Sequence, residues 1–284
     1  VIKYGNPSPM LSQAMEMLEG TPNYVSAKNT LEKVAADKTL PKWQIDFAVY
    51  HIGICHLGLG ELDKAKERFM SIKNDSRWFY YAKMNIVETL PEDAKVKAIQ
   101  DLINGSEVTG PFKIELKFKL VDRFIADNKG NDGKQAFESL KKAVPSPDKG
   151  TLLQFDEYQI KIDVMNQNFG EAEKRVNQYI GAGNETGLMR SALGDIYLSK
   201  GQKMDAIYEY LRGRLEFDNV DAEAGYKAGK LFSEMWQEDK INFADFRNNA
   251  RKELTKSLEA KDSVWSAKAK KLMKQQEVVG GYTI

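Results

Sequence analysis

Along most of the chain, apolar residues recur at spacings of three and four, the mark of helices with one buried face. Leu31, Val34 and Ala35 follow this spacing, as do Ala65, Phe69 and Ile72, and Ile207, Tyr210 and Leu211. Period-two alternation is scarce. The run Phe112, Ile114, Leu116 and Phe118 is the one candidate strand, yet its continuation through Leu120, Val121, Phe124 and Ile125 returns to helical spacing. The whole segment therefore predicts a helix. Turn-forming residues cluster at 19–22, 89–92, 104–106, 128–133, 145–147 and 181–184. Each cluster ends one predicted helix and opens the next. Residues 277–284 predict an extended segment beyond the last helix.

The helices fall into a repeating pair. In the two clearest copies, Gly53, Gly60, Ala65 and Phe69 recur as Gly194, Gly201, Ala206 and Tyr210, at identical intervals. The small residues let two helices approach closely, and the aromatic fills space against the next pair. This spacing resembles the tetratricopeptide repeat, a helix–turn–helix unit of about 34 residues. Further alanine markers stand at Ala27, Ala98, Ala136, Ala172 and Ala250, so that successive markers lie about 37 residues apart, near that repeat length. On this phasing the fifth pair needs one extra turn residue, and Arg190 takes a place usually held by a large apolar side chain. The expected fold is all-α, a right-handed α-solenoid of about seven antiparallel helix pairs. It forms a single repeat domain over 1–276, with 277–284 as a C-terminal extension.

The resemblance also implies a site. In tetratricopeptide-repeat proteins the first helices of successive pairs line a concave groove that accepts a peptide or an extended partner segment. Carried over residue by residue, the groove positions are Phe47, Tyr50, Ile54 and Leu57 in the second pair, and Leu188, Ser191, Asp195 and Leu198 in the sixth. A neighbouring helix covering the apolar second-pair set is the competing expectation. One co-chaperone subclass clamps an acidic C-terminus with lysine and asparagine at two groove positions. Here those positions hold Tyr50 and Ile54, or Ser191 and Asp195, so that clamp is missing.

Charge adds a second candidate surface. The 284 residues carry 42 Lys and Arg against 41 Asp and Glu, a formal charge of +1 that disfavours a nucleic-acid partner. The balance conceals segregation: −5 over 216–245 and +5 over 251–276. The basic stretch suggests a face made by Lys268, Lys270, Lys271 and Lys274 that meets an acidic partner, although attraction between neighbouring helices accounts for the segregation equally well. No segment has the roughly 20 apolar residues of a transmembrane helix. Because the chain starts at Val1, a cytoplasmic place and an exported one with its signal peptide removed both stay open.

Chemistry-bearing motifs are few. The only histidines and the only cysteine are His51, Cys55 and His56. His51 and Cys55 are one helical turn apart and suit zinc, but any further ligand would have to be a carboxylate, so they read as packing residues with no metal. Nucleophile elbows, phosphate loops and dinucleotide fingerprints are missing, which points to no cofactor and no catalysis. The expected function is a non-catalytic scaffold or adaptor with a protein or peptide partner, open also to self-association. The alternative is a helical-repeat domain that binds a small molecule or glycan, with or without enzymatic activity.

Overall fold

A computed structural model describes residues 6–217, 221–259 and 263–275. Two compact units make up the chain, Val1–Leu120 and Val121–Ile284. Among the described residues there are fifteen helices and no strand.

Unit 1 holds α1 (Pro9–Glu16), α2 (Tyr24–Ala36), α3 (Lys42–Gly58), α4 (Leu62–Met70), α5 (Phe79–Glu88), α6 (Glu92–Asn104) and most of α7 (Pro111–Ala126). The segment with strand-like alternation is helix α7. Unit 2 continues with α8 (Gly130–Ala143), α9 (Lys149–Met165), α10 (Phe169–Gly181), α11 (Gly187–Ser199), α12 (Lys203–Glu216), α13 (Asp221–Glu238), α14 (Phe246–Glu259) and α15 (Ser263–Gln275). Odd-numbered helices up to α13 are the first members of seven pairs, and α15 stands beyond the last pair. The expected extension at 277–284 lies outside the described residues.

One turn geometry recurs within four pairs. Three residues separate the helices, and the middle one has positive φ: Gly60 (+74°), Asn128 (+55°), Gln167 (+61°) and Gly201 (+76°). The next residue then donates its N–H five positions back: Glu61 to the His56 carbonyl, Lys129 to Phe124, Asn168 to Asp163 and Gln202 to Tyr197, at 2.8–3.0 Å. These bonds satisfy carbonyls that the helix end would leave open. The fifth pair therefore needs no extra residue, because Gln167 adopts the conformation that glycine takes in the second and sixth pairs. Taking the fourth residue of each second helix, the place of Ala65 in α4, corrects two repeat markers. Lys95 with Ile99, and Gly133 with Phe137, hold the places of Ala65 and Phe69, one helical turn before Ala98 and Ala136.

Close approach explains the paired glycines. A Cβ on Gly53 would lie 2.5 Å from the Phe69 ring, and one on Gly194 would lie 2.4 Å from the Tyr210 ring. Each aromatic thus lies against the glycine of its own pair, while its far side joins the next pair: Phe69 with Ala82, Tyr210 with Leu231. The fifth pair inverts the volumes, with buried Ile160 in the glycine place and the smaller Val176 in the aromatic one. The bulk is shared between the two helices instead of coming from one ring, a redistribution that close-packed cores accommodate by repacking. The last helix, α15, covers the otherwise open side of the seventh pair with Ala269, Leu272 and Met273 packed on Leu254 and Tyr226. Solenoids need such an end cap.

Candidate functional site

In unit 2 the first helices surround a cavity of about 520 Å³. The end of α7 supplies Ile125 and Ala126, α9 supplies Lys161, Val164 and Met165, and α11 supplies Asp195 and Leu198. Glu223 and Lys227 of α13, with Trp265 and Lys268 of α15, complete its polar wall.

The charged side chains are held in a continuous network. Lys227 donates to Asp195 (2.6 Å) and to Glu223 (2.7 Å), one turn back on its own helix. Glu223 also accepts from Lys161 and from the Ser191 hydroxyl (3.1 Å), and the Tyr210 hydroxyl donates to Asp195 (2.7 Å). Ser191 is fully buried and Lys161 is only 5% exposed. Burial pushes the Glu223 carboxyl upward, but Lys161 and Lys227 outweigh it and hold the group below its ordinary range. Burial lowers Lys161, which shares Glu223 with a second ammonium. Lys227 has Asp195 as well, and its two carboxylates overcome burial and raise it. Across the cavity, the Lys268 ammonium donates to the Ala126 carbonyl (2.8 Å) at the C-terminal end of α7, where a helix favours positive charge. It also lies 4.0 Å from the centre of the Trp265 ring.

Unit 1 is built differently. Tyr50 of α3 is buried, stacks on Trp78 at 4.7 Å, and its hydroxyl accepts from Asn85 of α5 (2.7 Å). Phe47 stacks on His51 (3.8 Å) and meets the edge of Trp78 (5.4 Å). Ile54 and Leu57 are half-buried beside Phe69 and Trp78. The face then continues through Tyr81, which is 39% exposed, to Phe112 of α7, whose ring Tyr81 meets edge-on at 5.2 Å.

The predicted residues are therefore placed unequally. In the sixth pair Asp195 and Leu198 line the cavity, Ser191 bonds to its Glu223, and Leu188 is half-buried away from it. In the second pair Tyr50 is buried against Trp78 and Asn85, whereas Phe47, Ile54 and Leu57 are half-buried. The basic face divides: Lys268 turns into the cavity, whereas Lys270, Lys271 and Lys274 are exposed. Lys161, Glu223 and Lys227 are the site residues that sequence reasoning missed. Three residues before each turn centre lie Leu57 and Leu198, both groove positions. Counting back from Gln167 by the same steps gives Val164, Lys161, Glu157 and Gln154, so the correct turn centre would have found Lys161.

Other candidates have local partners. His56 is buried and its Nδ1 meets Glu61, while His51 Nδ1 meets the Phe47 carbonyl at 2.9 Å. Burial pushes the Cys55 thiol up to about 11. Among the described residues, no three His, Cys, Asp or Glu side chains converge where a metal could be held. Arg190, unexpected in a core position, is 4% exposed and bonds to Glu209 (3.0 Å) and Glu185 (2.7 Å). No described helix is long and apolar enough to cross a membrane.

No family model and no curated protein matches the sequence. Among solved structures, a tetratricopeptide repeat protein from Parabacteroides merdae is similar over 93% of this chain and 96% of its own, with a TM-score of 0.64 and 14% identity. The chain thus has the all-α, solenoid-type fold of tetratricopeptide-repeat proteins. At that identity the likeness concerns the fold alone. An assembly chaperone of RpL4 (Acl4, residues 1–338) aligns over 98% of this chain and 100% of its own at 14% identity, but its TM-score of 0.32 carries no argument.

Proposed function

We propose that this protein is a non-catalytic scaffold that holds a protein partner along its first-helix faces. The observation that carries the reading is the aromatic face of unit 1. Phe47, Trp78, Tyr81 and Phe112 present ring surface that the fold leaves partly uncovered, and Tyr81 is 39% exposed. Aromatic anchors with an apolar body and a polar tip dominate protein interfaces. Backbone-rich partner segments suit this face, because Asn85 and the Tyr50 hydroxyl add polar groups beside the rings.

Tyr81 is the residue to test, since Tyr50 is buried and its replacement would disturb the core. A photo-crosslinking residue placed at position 77, an exposed site beside Trp78, should capture one partner from native extract with the full chain. Tyr81→Ser should reduce recovery of that partner at least tenfold while leaving the helical circular dichroism unchanged. Crosslinking that yields only abundant, unspecific proteins, equally with Tyr81→Ser as competitor, would refute the reading.

A further inference from the structure

We infer that the outward face of α12 pairs, antiparallel and about a two-fold axis, with the same face of a second copy of this chain. The surface belongs to a second helix, whereas the scaffold reading rests on first helices, so neither depends on the other. Met204, Tyr208 and Leu215 of α12 are 54%, 62% and 70% exposed, and Leu211 between them is half-buried. Their spacing of four, three and four sets all of them along one line of the helix, as at a two-helix seam.

The repeat itself does not ask for this row. Met204 and Tyr208 stand two residues before and two after Ala206. The same places hold Asp63 and Glu67 in α4, Asp93 and Lys97 in α6, and Asn248 and Lys252 in α14, all exposed. Helices α8 and α10 likewise have no apolar side chain at either place. A lone exposed leucine is ordinary on a protein surface, whereas an apolar row along one helix marks a contact.

Self-complementarity selects the occupant. Laying a second α12 on the first in the reverse direction sets Met204 opposite Leu215 and Tyr208 opposite Leu211, so every level of the row is filled. Asp205 and Arg212 flank the row on one side, seven residues apart. In the reversed pairing each Asp205 meets the other copy's Arg212, twice by symmetry. A parallel pairing would set aspartate on aspartate and arginine on arginine. Arg212 already donates to Glu216 (2.9 Å) and lies 3.7 Å from Glu185, and Asp205 accepts from Gln202 (3.3 Å). These exposed charges therefore choose the orientation, and the apolar row supplies the affinity. On the other side Lys203 and Arg214 are paired with Glu238 and Glu253 of their own chain. Because the core already orders α12 through Ala206, Ile207 and Tyr210, two turns of seam can associate without the ordering cost that a free helix meets. So small a contact makes a weak dimer, and two-fold pairing closes on itself without growing into a filament.

Sedimentation equilibrium on the full chain should show monomer and dimer in exchange, the dimer gaining as concentration rises through the micromolar range. Tyr208→Glu should weaken association at least tenfold, since it brings two carboxylates together near the axis. The side chain it replaces is largely exposed, so circular dichroism should not change. Cysteines read the orientation. Copies with Met204→Cys, mixed with copies with Leu215→Cys and oxidised glutathione, should link at least fivefold faster than either kind alone. The native Cys55 is buried and common to every mixture. Should Tyr208→Glu fail to fold, the cysteine pairing still decides. A folded chain that stays monomeric would overturn the inference and leave the row to a different protein. A dimer indifferent to Tyr208→Glu, or Met204→Cys copies that link to one another as fast as to Leu215→Cys copies, would overturn it as well.

Discussion

Unit 1 and unit 2 use the same helix-pair frame and furnish their first helices with opposite chemistry. In unit 1 those helices meet through rings: Tyr50 on Trp78, Phe47 against the edge of Trp78, Tyr81 against Phe112. Each ring pair contributes about 0.5–1.5 kcal/mol beyond the area it buries, with little dependence on salt or pH. In unit 2 the corresponding helices meet through Lys161, Asp195, Glu223 and Lys227, ions whose removal from water offsets much of their attraction. Ionic joints of this kind add little net stability compared with an apolar core. They do fix donors and acceptors around an open volume, which close-packed rings cannot do.

The hardest blow to this contrast should come from Lys227→Met. It leaves Asp195 and Glu223 without a shared cation, and breaking such a network costs about 3 kcal/mol, after allowance for the partial exposure of Lys227. Urea unfolding should show the loss, and adding Asp195→Asn, which removes the carboxylate left without a cation while Glu223 keeps Lys161, should recover part of it. An unchanged midpoint would mean that the network is as well solvated as any surface pair.

Acid separates the units more gently. The lowered Glu223 carboxyl stabilises unit 2 above the ordinary glutamate value near 4.3, and that contribution fades as pH falls from there toward its folded value. His51, lowered by burial, acts in unit 1 in a higher window. Below about pH 6.5 the unfolded chain takes up a proton that the folded one refuses, so stability declines from that point. Hydrogen exchange followed by mass spectrometry should therefore show α3 loosening before α13 as pH is lowered. Glu223→Gln should flatten only the later change.

A third test asks whether the frame itself is common to both units. Gly53→Ala and Gly194→Ala each set a methyl against a ring, at 2.5 and 2.4 Å, and should each cost about 1–3 kcal/mol by thermal or urea unfolding. Pairing Gly53→Ala with Phe69→Leu should cost less than the sum of the two, whereas strict additivity would deny the contact. The smallest expected effect is that of Tyr50→Phe. Losing the hydroxyl that accepts from Asn85 should cost about 1 kcal/mol and leave the ring stack in place.

How far the sequence discloses this molecule depends on how each position encodes its backbone. Glycine announces positive φ plainly, so the turns at Gly60 and Gly201, and with them the second and sixth pairs, can be read directly. Asparagine announces it less clearly at Asn128, and glutamine scarcely at all at Gln167. With that turn centre unread, the fifth pair shifts out of phase and Lys161 disappears from the groove positions. Lys95 hides the third pair in another way. It occupies the usual alanine place with its ammonium on Glu92 (2.7 Å), and no small residue marks the spot. Blocks of charge along the chain are poor guides too, because pairing is decided in space: Glu223 meets Lys161, 62 positions away. Asp195 and Leu198 could be placed because they inherit a well-phased repeat, whereas the cavity they share is a property of six helices at once.

The bond from Lys268 to the Ala126 carbonyl joins positions 142 residues apart. Helix pairs rely mainly on neighbours close in sequence, so they can fold progressively as the chain is synthesised. The cavity cannot be completed in that way. Its Trp265 and Lys268 belong to the last described helix, and they emerge from the ribosome after every other wall has been made. A nascent chain halted before residue 263 would carry Lys161, Lys227 and their carboxylates around an open cleft, and the site would be complete only once residues 263–275 had been added.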